Sequence, residues 1–109
     1  MTVPRVNEVP RSAGPTVMRF EVAMTAADLQ RLAPLLPGGG RIRLEPMSAS
    51  LEQPGGQRWQ ITLSNPRVRT LGRLSLAIAD VQIEMTGYSQ AEIQRFLERF
   101  HLVFRKGGG

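Results

Sequence analysis

Between Ser89 and Phe104 the apolar residues recur at three- and four-residue intervals, and no other stretch constrains the fold as tightly. Ile93, Phe96, Leu97, Phe100, Val103 and Phe104 fall on one stripe of a helix, and such a stripe has to be covered by a second layer. Ser89 and Glu92 have the S-x-x-E spacing of a capping box, with Tyr88 and Ile93 at the spacing of a hydrophobic staple, so the helix starts there. Arg105 and Lys106 would complement the negative end of the helix dipole, and Gly107 is placed to adopt the left-handed C-cap.

The layer that covers this helix should be a sheet. In MRFEVAM, Met18, Phe20, Val22 and Met24 alternate with Arg19, Glu21 and Ala23, the pattern of a strand with one buried face. Thr25 then caps a short helix by accepting from the N–H of Asp28, and Leu29, Leu32, Ala33 and Leu36 form its stripe until Pro34 kinks or ends it. Past the PGGG turn, Ile42 and Leu44 alternate with Arg41, Arg43 and Glu45. Past QPGG, Trp59, Ile61 and Leu63 alternate with Arg58, Gln60 and Thr62. These two strands are expected to pair as a hairpin, with Pro46 suited to an edge or a bulge.

GRLSLAIADVQIEMTG breaks its own alternation. Leu74, Leu76 and Ile78 are even, whereas Val81, Ile83 and Met85 are odd, so an extra residue is expected near Ala79 and Asp80, in one bulged strand or between two short ones. The bulged single strand is preferred, because Ala79-Asp80 is poor chemistry for a two-residue hairpin.

The order is therefore β-α-β-β-β(β)-α. It is an α+β two-layer sandwich, an antiparallel sheet of four to five strands with two helices on one face, the second long and C-terminal. Residues 1–15, with Pro4, Pro10, Gly14 and Pro15 and no sustained period, are expected to be a disordered arm before a single domain over 16–109. In order of elements the chain resembles TATA-binding-protein repeats and helix-grip proteins; the resemblance is of topology alone, and function does not travel with fold. The closing RFHLVFRKGGG resembles the strand and glycine tail of ubiquitin-like and sulfur-carrier proteins. The helical stripe accounts for more of its residues, and a single strand before the first helix departs from the hairpin with which those folds begin.

No cysteine is present, which removes disulfides and thiolate chemistry, and His101 is the only histidine, read as a boundary residue. Asp80 and Glu84 can share an outer strand face, where carboxylates near arginine are more often solvated or salt-bridged than catalytic. The glycine clusters lack the spacing of phosphate-binding loops, and Met18, Met24, Met85 and Trp59 read as core. Neither a catalytic set nor a cofactor or metal motif emerges, and with no spanning apolar run or signal-like start, a cytoplasmic protein is expected. The net charge is +5, carried by arginine with Lys106 the only lysine. Arg41, Arg43, Arg58, Arg67, Arg69 and Arg73 are the candidate binding residues, for a polyanion or a protein partner. The expected function is a small non-enzymatic binding or adaptor domain engaging a protein partner, as a monomer or weak homodimer. A nucleic-acid-binding module using an arginine-rich outer sheet face is the first alternative, and a helix-grip-like binder of an apolar ligand the second.

Overall fold

The computed structural model describes residues 15–38 and 40–108, so the expected N-terminal arm lies outside the described residues apart from Pro15. The elements run β1 (Thr16–Val22), α1 (Ala26–Leu32) with a 3₁₀ turn at Ala33–Leu35, β2 (Arg41–Glu45), β3 (Ser48–Glu52), β4 (Arg58–Leu71), β5 (Leu74–Thr86) and α2 (Gln90–Gly108). The five strands form one antiparallel sheet in the order β1-β5-β4-β3-β2, and both helices cover its apolar face. This is the expected α+β sandwich with a long C-terminal helix.

Each helix begins where its local chemistry dictates. Thr25 Oγ1 accepts from the Asp28 N–H at 3.1 Å while Asp28 Oδ2 accepts from the Thr25 N–H at 3.0 Å, a full capping box. Pro34, which cannot donate to a preceding carbonyl, sits where the α-helix gives way to the 3₁₀ turn. In α2, Ser89 Oγ accepts from the Glu92 N–H at 3.2 Å and Glu92 Oε1 accepts from the Ser89 N–H at 2.8 Å. Ile93, Phe96, Phe100 and Phe104 are buried as their spacing requires, with Leu97 and Val103 packed at the margin. Leu102, the residue left off the stripe, is exposed. The helix does not end at Gly107 as expected but runs through Gly108.

The core lies between α2 and the centre of the sheet. Trp59, Ile61 and Leu63 of β4 and Ala79, Val81, Ile83 and Met85 of β5 are all buried, and Trp59 and Phe96 stack with ring centroids 5.4 Å apart. Phe100 meets Phe104 at 4.7 Å and the edge of Phe20 at 5.7 Å. These aromatic contacts each add on the order of 1 kcal/mol to the area they bury.

Three expectations about the sheet are corrected. Ser48–Glu52 is a strand, so β2 pairs with β3 across the Pro46-Met47 turn, and β3 rather than β2 pairs with β4. Its alternation is muted, because Ala49 and Leu51 are buried between the small polar Ser48 and Ser50. Gly40 has a purely steric role here, since a Cβ on it would lie 1.9 Å from the Glu52 carbonyl oxygen. Secondly, β4 does not stop at Leu63 but continues to Leu71. Thirdly, residues 74–86 form one continuous strand, and the irregularity lies opposite it. Ser64 pairs with Asp80 and Arg67 with Ile78, so Asn65 and Pro66 of β4 face Ala79 alone. Asn65 takes a positive φ of 54°, which asparagine tolerates better than most residues, and proline is admitted to strands mainly at such bulges.

The Ser89 N–H held by Glu92 keeps that carboxyl below its ordinary range; desolvation opposes it, and the Ser89 hydroxyl, Gln57 and Arg95 add to the lowering. A lowered folded value means stability that is present above the ordinary carboxylate range and lost as pH falls through the folded value. Glu92→Gln keeps an acceptor for the capping bond without a titrating group. Urea unfolding midpoints should therefore fall less steeply for Glu92→Gln than for wild type between about pH 5 and pH 3, and parallel curves would refute this.

Candidate functional site

Beyond the bulge, β4 and β5 leave the body of the sheet as a two-stranded ribbon. β3 accompanies β4 only as far as Thr62, and β1 accompanies β5 only from Ala79 onward. From Arg67 to Ile78 the two strands pair, among the described residues, only with each other. The ribbon closes at Leu71-Gly72-Arg73-Leu74, where Gly72 has a φ of 61° and Arg73 a negative one, the geometry of a type II′ turn that requires glycine at its first central position.

Most of the ribbon's apolar side chains are exposed, while Ile78 at its base is buried. Val68, Leu71 and Leu74 are 66%, 56% and 64% exposed, and Leu76 is partly exposed beside them. Leu71 pairs with Leu74 and Arg69 with Leu76, so the leucines form one row on the face of the ribbon that continues the helix-free face of the sheet. Isolated surface leucines are ordinary, whereas a contiguous exposed row on a ribbon is less common in a folded domain.

An ion cluster fixes the ribbon's base. Glu21 of β1 binds Arg67 and also Arg69, the latter at 3.0 Å, and Arg67 reaches Asp80 at 3.1 Å. Asn65 donates to Asp80 at 3.3 Å, and its carbonyl accepts from Arg67 at 2.7 Å. These groups are partly exposed, so each pair is worth at most about 1 kcal/mol. Together they set the direction in which the ribbon departs.

The six candidate arginines thus divide into three places. Arg41, Arg43 and Arg58 are exposed on one corner of the helix-free sheet face, around a hollow of about 380 Å³. Cross-strand neighbours run Arg41, Glu52, Arg58 in one row and Arg43, Ser50, Gln60, Glu84 in the next, so acidic residues interleave with the basic ones. Among the described residues no carboxylate lies within ion-pair distance of these three arginines. Arg67 and Arg69 belong to the ribbon's base, and Arg73 stands alone in its turn.

The other candidate chemistry disperses. Asp80 is bound by Arg67 and Asn65, while Glu84 accepts from Gln82 at 3.4 Å. His101 is exposed, its ring 5.4 Å from Phe20. Burial raises the pKa of Tyr88, with Glu92 adding to the effect, and its hydroxyl is buried without a hydrogen-bond partner among the described residues, beside a cleft of about 340 Å³ that includes Trp59 and Phe96. Among the described residues no group of three or more His, Asp or Glu is placed to hold a metal ion, and no helix is long and apolar enough to cross a membrane.

Sequence reasoning missed the leucine row. The signals were there, in the Leu-Gly-Arg-Leu turn and in the apolar residues of β5 changing from even to odd positions. The chain matches no protein family, no curated protein and no solved structure.

Because Glu21 alone links β1 to both ribbon arginines, Glu21→Ala should speed amide exchange over residues 67–78 severalfold while changing global stability by less than about 1 kcal/mol. Unchanged exchange in the ribbon would show that the cluster does not anchor it.

Proposed function

We propose that this chain is a non-enzymatic binding module that engages a protein partner through the β4–β5 ribbon, with the cytoplasm as its proposed location. One observation carries the reading: Leu71 and Leu74, a cross-strand pair on one face, are each more than half exposed on a ribbon that has no neighbour on either edge among the described residues. A two-stranded ribbon is marginal in water without a hydrophobic face to pack on something, and this one keeps its hydrophobic face open. Apolar surface that is neither core nor scattered is the expected marker of a docking element. The body of the sandwich supplies a rigid platform, and the base cluster supplies direction.

A second reading has its own support. Arg41, Arg43 and Arg58 lie together without an ion-pair partner among the described residues, as a phosphate backbone would require. The interleaved Glu45, Glu52 and Glu84 weaken it, since they reduce the local positive potential. An apolar pocket of the helix-grip kind has less behind it, because Phe96, Phe100 and Phe104 fill the space between α2 and the sheet.

The test pairs two variants with two assays. Leu71→Ser/Leu74→Ser should abolish recovery of protein partners that crosslink to wild type in extracts of the source cells, while Arg41→Ala/Arg43→Ala should leave that recovery intact. Anisotropy with labelled DNA and RNA should show no binding tighter than the roughly 100 µM expected of weak nonspecific contact. Micromolar binding that falls steeply with salt and is lost in the arginine variant, with crosslinking indifferent to the leucines, would replace the proposal with the nucleic-acid reading.

A further inference from the structure

We propose that the ribbon's partner is a second copy of this chain, and that the two copies join by antiparallel pairing of their β5 free edges, centred on Leu76. This rests on the reading of the ribbon as a docking element and adds the identity of its occupant.

The edges of the sheet are not alike. β2, at one side, carries Arg41 and Arg43 and is followed by Pro46, devices that discourage a further strand. β1, at the other, carries Arg19 and Glu21. The free part of β5 has none of these. Residues 74–79 read LSLAIA, without charge or proline, so two copies can face each other here with no like charges opposed.

The geometry also selects a register. The free edge is bounded by the type II′ turn before Leu74 and by Val22 of β1, which pairs with Ala79. Five residues, Leu74–Ile78, lie between these limits. An antiparallel copy fills them without overlap only if Leu76 stands opposite Leu76 of the second copy. In a two-residue hairpin Leu71 and Leu74 bond each other, so the alternate residues Ser75 and Ala77 direct their N–H and C=O groups outward. In the proposed register Ser75 of one copy meets Ala77 of the other, twice, with hydrogen bonds at both pairs. The Leu76 pair falls at a non-hydrogen-bonded position, where facing side chains are closest. The leucine rows then merge across a two-fold axis, a self-complementary contact.

Charge agrees with this register. Among the described residues Arg73 has no acidic partner in its own copy. The pairing carries it to the far end of the other copy's free edge, beside the end of β1, where it would join the cluster of Glu21, Asp80, Arg67 and Arg69, whose Glu21 remains 39% exposed. A groove of about 540 Å³ lies along the same edge, its lining including the apolar Leu76, Phe100 and Phe104 with His101 and the charged Glu21 and Arg105. Stable interfaces take roughly 800 Å² from each partner, more than a five-residue strand pair supplies, so the groove beside the edge has to be buried with it. Strand addition with side-chain pockets beside the edge is an established recognition mode.

The experiment uses the full chain and the symmetry of the centre. Sedimentation equilibrium at about 100 µM, where complexes of micromolar Kd are populated, should show dimer. Leu76→Glu and Leu76→Arg should each weaken it at least about tenfold by opposing like charges at the axis. An equimolar mixture of the two should restore it as a heterodimer. Leu102→Glu, an exposed change on α2 at a residue that does not line the groove, should dimerise as wild type does, and circular dichroism with thermal melts should show that all variants fold. Monomer at that concentration, a dimer indifferent to both Leu76 variants, or a failure of mixing to restore it would overturn the self-pairing. Binding of monomers to anionic vesicles that depends on Leu71 and Leu74 would overturn it in favour of a lipid surface. Loss of other crosslinked partners in Leu71→Ser/Leu74→Ser, with wild type monomeric, would overturn self-pairing while leaving the ribbon as the docking element.

Discussion

A strand alternates its side chains between two faces, and β5 is apolar on both, at opposite ends. From Ala79 to Met85 its odd residues enter the core beneath α2; from Leu74 to Ile78 its even residues line the opposite face. No single layer of helices can cover both sets, because they point in opposite directions. The helices cover the first. The second extends into a ribbon that β1 and β3 do not accompany, where the leucines stay exposed and Ile78 at the base is buried.

The bulge at Asn65-Pro66 reconciles these demands within one sheet. Two residues facing one shift the register of β4 against an uninterrupted β5 and sharpen the local twist, so the ribbon can depart without disturbing the pairs that hold the core. The same place gathers Glu21, Arg67, Arg69 and Asp80, which tie the ribbon to the edge of the body by partly exposed pairs. Exposed pairs of this kind confer direction more than stability. The arrangement positions an apolar strand edge away from the body and backs it with a fixed base, which is what recognition by strand addition requires.

The helices were legible in the sequence because their signals are local. Thr25 with Asp28 and Ser89 with Glu92 announce each start within four residues, and the α2 stripe repeats often enough to exclude a strand. β3 was not legible, since Ser48, Ala49 and Ser50 have little strand preference of their own and take that conformation by pairing with β2 and β4. Pro66 hid the continuation of β4, because proline argues against a strand except at a bulge, and the bulge is visible only once the partner strand is known. The shift from even to odd positions in β5 was seen and assigned to the wrong strand. The cause is a physical ambiguity, as an inserted residue and a change of the buried face leave the same trace in one strand's pattern. Of the candidate arginines, the outward set on β2 and β4 follows from simple alternation, whereas the ion-paired set depends on β1 lying beside β5, which no local pattern encodes.

What unites these features is a sandwich complete in its core and incomplete along one ribbon. The most direct test is amide exchange of the full chain, followed residue by residue at low and at high protein concentration. The account predicts that in dilute solution Ser75 and Ala77 exchange far faster than Val81 and Ile83, and that raising the concentration protects Ser75 and Ala77 while the core strands stay unchanged. Protection of the ribbon equal to that of the core strands in dilute solution would contradict it, since the ribbon would then need no partner.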